Sequence, residues 1–148
     1  MVNEHQIIRE ATINDIYEIL SIEEQVFTND HWSLEMLSNE LNESNDRNTL
    51  IIIKADEVIG YCMFRKFENE IHIINMAVKS SMQGKGYGKL LLKNFLGQLP
   101  AKSSVFLEVK HVNFPAINLY LSLGFKNISS RANYYSDGSN ALVMCLKK

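Results

Sequence analysis

With only two cysteines, Cys62 and Cys145, the 148-residue chain has no basis for a disulfide framework. Both lie inside apolar, strand-like runs, where a buried reduced thiol is the simplest state. No apolar run approaches the roughly 20 residues that a spanning helix needs, so no membrane association is expected. The opening stretch MVNEHQIIRE is too polar for a signal peptide, which leads us to expect a cytoplasmic setting. His5, His31, His72 and His111 show no ligand spacing, so no metal site is expected. Basic residues form no stripe interleaved with aromatics and the pI is about 6.1, which argues against nucleic acid as a partner. Internal repeats, low-complexity tracts and linkers are also missing, and the length suits one domain over residues 1–148. Nothing in the sequence speaks to oligomeric state.

What is present begins with a charge asymmetry behind the net −2. Residues 1–50 hold 11 Asp and Glu against Arg9 and Arg47, a formal −9, and the remainder holds 6 acidic and 13 basic residues, a formal +7. Such a split suits an anionic ligand on the C-terminal part and a cationic one on the N-terminal part. Acidic solvent faces on the first two helices would produce it equally well.

Gln6–Glu10 reads as a strand. Thr12 and Asp15 have capping-box spacing, and Ile16, Ile19, Leu20, Glu23 and Phe27 recur at helical spacing, with Glu23 breaking the apolar face. Ser33 caps a short helix to Leu41, with Leu34, Leu37 and Leu41 on one side. Thr49–Lys54, Val58–Phe67 and Glu70–Val78 read as three strands in an antiparallel meander, turning at Ala55-Asp56-Glu57 and Glu68-Asn69. A glycine-rich loop over Gln83–Gly88 leads into a helix over Lys89–Leu96, which Leu90, Leu91, Leu92 and Phe95 mark as packed. Val105–Val109 is the next strand. Pro115 suits an early position of the helix ending at Leu123, and Gly124 suits the position just past it. Strands at Phe125–Ser130 and Ala141–Lys147 finish a mixed α/β chain of order β-α-α-β-β-β-α-β-α-β-β.

A strand, closely spaced glycines and a helix form a geometry that binds phosphate, because the backbone approaches closely and the first N–H groups of the helix face the anion. Lys85 and Lys89 add positive charge at the mouth. A Walker A loop needs Ser or Thr after Gly-Lys, and here Leu90 follows Gly88-Lys89. A dinucleotide fingerprint needs Gly-x-Gly-x-x-Gly. Here the spacing is Gly-x-Gly-x-Gly, and the upstream meander is the wrong setting for that fold.

Gln83-Gly84-Lys85-Gly86-Tyr87-Gly88 matches the Gln/Arg-x-x-Gly-x-Gly/Ala pyrophosphate loop of the GNAT acetyltransferases. Downstream come Leu107-Glu108-Val109-Lys110, Asn113, Ala116, Leu119-Tyr120 and Leu123-Gly124-Phe125. Together with Phe27…Trp32-Ser33, Asn75-Met76-Ala77-Val78 and Asn133-Tyr134-Tyr135, they fall in one order over nearly the whole chain. In this the chain resembles the ribosomal-protein-alanine N-acetyltransferase (RimI-like) family. The resemblance implies a GNAT fold, a mixed and mostly antiparallel sheet flanked by helices, with a splayed strand pair binding acetyl-CoA as co-substrate. It implies direct transfer of acetyl to an amine, with Glu108 as general base and Tyr120 as general acid. It also implies that Met76, Ala77, Val78, Gln83, Gly84, Lys85, Gly86, Tyr87, Gly88, Lys89, Asn113 and Tyr120 bind the cofactor. Read by residue alone, Glu108 is equally a strand-end carboxylate paired with Lys110, Tyr120 a core aromatic, and Asn113 a helix cap.

The resemblance further implies that Trp32, Asn133, Tyr134 and Tyr135 bind an acceptor peptide, a protein N-terminus such as that of a ribosomal protein with a basic tail. An α-amine (pKa ~8) is easier to deprotonate at neutral pH than a lysine amine (~10.4) by about 3 kcal/mol, which suits one modest base. The departures from the family pattern are Lys110 in place of arginine, Ser139-Asn140 in place of acidic residues after Asp137-Gly138, a bulkier His111–Pro115 segment, and a wider gap from Phe27 to Trp32. They leave open a lysine or small-amine acceptor, or a silent acyl-CoA-binding module.

Overall fold

The computed structural model describes residues 5–42 and 44–148. Met1–Glu4, within the stretch read above for a signal peptide, and Glu43, counted above among the acidic residues, lie outside them. The element order is β1 (Gln6–Glu10), α1 (Ile16–Val26), α2 (Leu34–Leu41), β2 (Arg47–Lys54), β3 (Glu57–Phe67), β4 (Glu70–Val78), α3 (Tyr87–Gly97), β5 (Ser104–Lys110), α4 (Phe114–Ser122), β6 (Lys126–Arg131) and β7 (Ala141–Lys147). This is the order read from the sequence. The seven strands form one mixed sheet in the order β1-β2-β3-β4-β5-β7-β6. β1 runs antiparallel to β2, β5 parallel to β4, and β7 antiparallel to both β5 and β6. Ala55 and Asp56, both left-handed at φ 51° and 60°, make the tight turn that sends β2 back into β3.

The chain divides into two compact units, Met1–Phe64 with Asn75–Gln98, and Arg65–Ile74 with Leu99–Lys148. In the first unit, β2 is buried without alternation over Thr49–Ile52 and β3 over Val58–Phe64, the pattern of strands covered on both faces. The α1 residues Ile16, Ile19 and Ile22, the α2 residues Leu37 and Leu41, and the α3 residues Leu91, Leu92 and Phe95 supply the cover. Leu34 and Leu90, read above as packed, are instead exposed (41% each): Leu34 is the first residue of α2, a turn before its buried positions, and Leu90 lies one position off the stripe that α3 buries. The Thr12–Asp15 capping box forms, but it starts a single 3₁₀ turn, Ile13–Asp15, that feeds α1. Arg9 grips the buried Asp15 through two bonds of 2.9 Å. Gly60 lies where the backbone of β4 approaches closely. A Cβ there would lie 3.0 Å from the Ala77 carbonyl oxygen and 3.2 Å from Ile52 Cγ2.

In the second unit β5 alternates, burying Val105, Leu107 and Val109 and turning Phe106, Glu108 and Lys110 to the other face. The parallel register with β4 runs from Glu70↔Ser104 to Ile73↔Leu107. β6 is exposed at every position and carries a bulge between Asn127 and Ser129, a common way of blunting a sheet edge. Cys62 in the first unit and Cys145 in the second are buried free thiols. Among the described residues, no helix is long and apolar enough to cross a membrane.

Two stability measurements follow. Gly60→Ala should lower stability by about 1–3 kcal/mol in denaturant titration through overpacking, whereas Gly97→Ala, which meets nothing within 4 Å, should be neutral or stabilising. Asp15 is held below the usual carboxylate range by the Arg9 guanidinium first, against the opposing effect of burial. The stability it contributes is therefore present above its unfolded pKa near ~3.9 and lost as pH falls through its lower folded value. Asp15→Asn should be less stable than the parent at neutral pH, with the gap closing only below about pH 4.

Candidate active site

In the first unit, β4 ends at Val78 and the chain turns through Ser80–Met82 before the glycines. Gly84 and Gly86 adopt φ of 75° and 89°, a left-handed region that side chains rarely enter. Gly86 immediately precedes α3, so the helix begins at Tyr87. The expected boundaries, a loop through Gly88 and a helix from Lys89, shift by two residues, because the left-handed break falls at Gly86 rather than Gly88. No side chain caps this helix, and its first backbone bond runs from the Leu90 N–H to the Gly86 carbonyl. The N–H groups of Tyr87, Gly88 and Lys89 therefore precede the helical ladder, as an anion site at a helix start requires. Gln83 ties the loop back to β4 by donating from Nε2 to the Val78 carbonyl at 2.9 Å. Lys54 donates to the Tyr87 hydroxyl at 2.6 Å and lies 5.1 Å above its ring.

A second feature of this unit was not read as a site from the sequence. Glu23, noted above only for breaking the apolar face of α1, is fully buried. Its Oε1 accepts from the Tyr61 hydroxyl of β3 and from Asn75 Nδ2 of β4, and its Oε2 accepts from the Trp32 N–H at 2.8 Å. Burial first, and then the Glu23 charge, push the Tyr61 hydroxyl far above its ordinary pKa, so it stays protonated and donates. The available signal was the position itself, a carboxyl at helical spacing from Ile16 and Ile19, where charged residues are found only when paired.

In the second unit, Glu108 stands on the partly exposed face of β5, with Oε1 3.7 Å from Arg131 Nη2 at the end of β6. Lys110, considered above as a partner of Glu108, bonds Asp137 Oδ2 at 3.0 Å and covers the Tyr135 ring at 5.2 Å. The Arg131 guanidinium lies 5.5 Å from the Tyr134 ring, and Tyr134 and Tyr135 meet edge to face at 5.0 Å. Asn133, left-handed at φ 52°, donates its N–H to Asn140 Oδ1 at 3.0 Å. Asp137 is drawn well below the carboxylate range by Ser139 first and then by Lys110. The Tyr135 hydroxyl is pushed up to about 12 by burial first and then by the nearby Tyr134, Glu108 and Asp137. Residues 131–140 thus form a loop closed on itself and anchored to β5 by Lys110, with its aromatic rings beside Glu108.

Asn113 precedes α4 and accepts the Ala116 N–H on Oδ1 at 3.3 Å, so it caps that helix. Tyr120 is buried on α4, its ring 5.7 Å from that of Phe125. The second unit therefore gathers Glu108 with Tyr134 and Tyr135, and adds Arg131, Lys110 and Asp137, which were not read as site residues. The first unit gathers Gln83–Lys89 at the end of Met76-Ala77-Val78, and holds Trp32 through Glu23. Among the described residues, no group of three or more His, Cys, Asp or Glu could hold a metal ion.

Residues 13–125 match the model of the acetyltransferase (GNAT) family. The chain is 35% identical over 143 residues to a ribosomal protein bS18-alanine N-acetyltransferase of Haemophilus ducreyi, covering 93% of this chain and 94% of that protein. It is 30% identical over 152 residues to an N-alpha-acetyltransferase of Sulfolobus acidocaldarius, covering 93% and 89%. The crystal structure of the ribosomal-protein-S18-alanine N-acetyltransferase from Escherichia coli superposes with a TM-score of 0.88 at 25% identity, covering 97% and 94%.

The cap at Asn113 generates its own test. Asn113→Ala should cost about 1 kcal/mol in thermal or denaturant unfolding, and Asn113→Asp, which keeps the acceptor, should restore most of it.

Proposed function

The chain belongs to the GNAT acetyltransferase family, whose members take acetyl from acetyl-CoA, and from that premise we propose transfer to the α-amine of a protein N-terminus, with Glu108 as general base and Tyr120 as general acid. The acceptor we favour is a ribosomal protein with an N-terminal alanine and a basic tail. The observation that carries this reading is the setting of Glu108, a partly exposed strand-end carboxylate bordered by the Tyr134–Tyr135 pair. Aromatic rings beside the base can grip the first residues of a peptide while leaving its amine at the carboxylate. Relatives named for α-amine transfer match the chain nearly end to end, and the formal −9 of residues 1–50 suits a basic tail. The family match includes residues of both units, which supports reading residues 1–148 as one catalytic domain. Two buried free thiols suit a reducing compartment such as the cytoplasm.

Bound acetyl-CoA supplies an acetyl thioester. Gln83–Lys89 hold its pyrophosphate through the uncapped N–H groups of α3 and the charges of Lys85 and Lys89. Met76, Ala77 and Val78 would serve its thioester arm, and Asn113, the cap of α4, would offer it a hydrogen bond. Trp32, Asn133, Tyr134 and Tyr135 position the peptide. Glu108 takes the proton of the amine, directly or through a water, as the N–C bond forms and the C–S bond breaks. Tyr120 gives its phenolic proton to the departing sulfur, and the two residues are reset by exchange with solvent.

Mass spectrometry of peptides incubated with the protein and acetyl-CoA tests the acceptor. The panel varies the first residue (Ala, Ser, Met, Gly) and the charge that follows, and includes α-blocked peptides with an internal lysine. Acetyl gain confined to free N-termini, strongest for Ala before basic residues, is the expected result, and modification of the blocked peptides would overturn it. Glu108→Gln and Tyr120→Phe should each lower kcat by about 10²-fold or more, and near-parent turnover across a pH series would remove the residue from its role.

A further inference from the structure

We infer that Glu23 is a positioning residue for the acceptor side of the site, holding the backbone of Trp32 in place from the buried face of α1; this rests on the reading of Trp32 as an acceptor residue. The carboxyl sits among Ile16, Ile19 and Ile22, where an aliphatic side chain would complete the stripe at no polar cost. Its two oxygens have different tasks. Oε1 accepts from the Tyr61 hydroxyl and Asn75 Nδ2, both on the sheet, and is thereby fixed. Oε2 reaches the Trp32 N–H at 2.8 Å, a bond across nine residues to the segment between α1 and α2. Local bonds also shape that segment, from the Phe27 N–H to the Glu23 carbonyl, from the Asp30 N–H to the Phe27 carbonyl, and between the His31 ring and the Trp32 carbonyl. Ser33 opens α2 directly after Trp32, so the Glu23 bond also sets where that helix starts. Asn75 immediately precedes Met76, so one carboxyl touches both the acceptor segment and the strand proposed to serve the thioester.

Methionine at this position keeps the length of the side chain but offers no oxygen to the three converging groups. The Tyr61 hydroxyl and the Asn75 amide can turn to other partners. The Trp32 N–H is a fixed donor, and its bond is the one that is lost.

Trp32 is the sole tryptophan, so intrinsic fluorescence reports on this segment alone. In Glu23→Met, the Trp32 emission should shift to the red and acrylamide quenching should rise. The acceptor-peptide KM should rise about ten-fold, with much smaller changes in kcat and in the acetyl-CoA KM. Tyr61→Phe removes a donor on the Oε1 side, and should lower Tm while leaving Trp32 emission as in the parent. If Glu23→Met does not fold, Glu23→Asp, which keeps both oxygens on a shorter arm, provides the same readouts. Unchanged emission and acceptor KM in the variant would overturn the proposal, as would equal increases in both KM values with a lowered Tm, the signature of a purely structural residue. If the parent protein acetylates no peptide at all, it is the N-terminal-transfer reading that fails, and Trp32 emission in the variant then decides the loop-holding claim by itself.

Discussion

A carboxyl that solvent does not reach must find its hydrogen bonds inside the protein, or the helix that carries it cannot seat. Glu23 meets that constraint by drawing Tyr61 from β3, Asn75 from β4 and the Trp32 backbone onto its two oxygens. Other polar side chains of α1 act in the same sense. Glu18 accepts the Val58 N–H where β3 begins, and Gln25 accepts the Ser80 N–H in the turn after β4. The helix is therefore docked by directional bonds at several points of the β3–β4 hairpin as well as by its isoleucine stripe. The stripe alone would tolerate sliding, and the bonds fix its register.

The glycine loop of the same unit depends on a different constraint, backbone conformation. Gly84 and Gly86 take positive φ at a point where the chain must reverse into α3 without closing its first N–H groups. No side chain competes for those groups. A serine or aspartate cap would have stabilised the helix by occupying the donors that a pyrophosphate needs. Lys54 meanwhile braces the Tyr87 ring at the helix start, and Gln83 fastens the loop to the end of β4.

In the second unit, the alternation of β5 does the sorting. Val105, Leu107 and Val109 go to the core, and Glu108 and Lys110 share the opposite face. The lysine that replaces the family's arginine takes Asp137 as its partner, and Ser139, where an acidic residue was expected, bonds the same aspartate. Asn140 accepts the Asn133 N–H on its side chain and the His111 N–H on its carbonyl. The departures from the family pattern thus act together to close the 131–140 loop. They leave Glu108 facing Arg131 and the two tyrosines.

Most of the element order could be read directly, because apolar strand runs between turn residues, capping at Thr12, Ser33 and Asn113, and the glycine before α3 are each encoded within a few neighbouring residues. The motif from Gln83 to Phe125 likewise pointed to the family. The helix faces were less readable, and Leu34 and Leu90 show why, since helical spacing marks a stripe but not its edge. Least readable were the polar partners. Glu23 with Tyr61 and Asn75, and Lys110 with Asp137, are neighbours only after strands far apart in sequence have paired. By itself the sequence determined the elements, their order and the family, since those depend on local propensity and spacing. Only the tertiary structure decided which buried and rim side chains meet, since that depends on pairings no local pattern specifies.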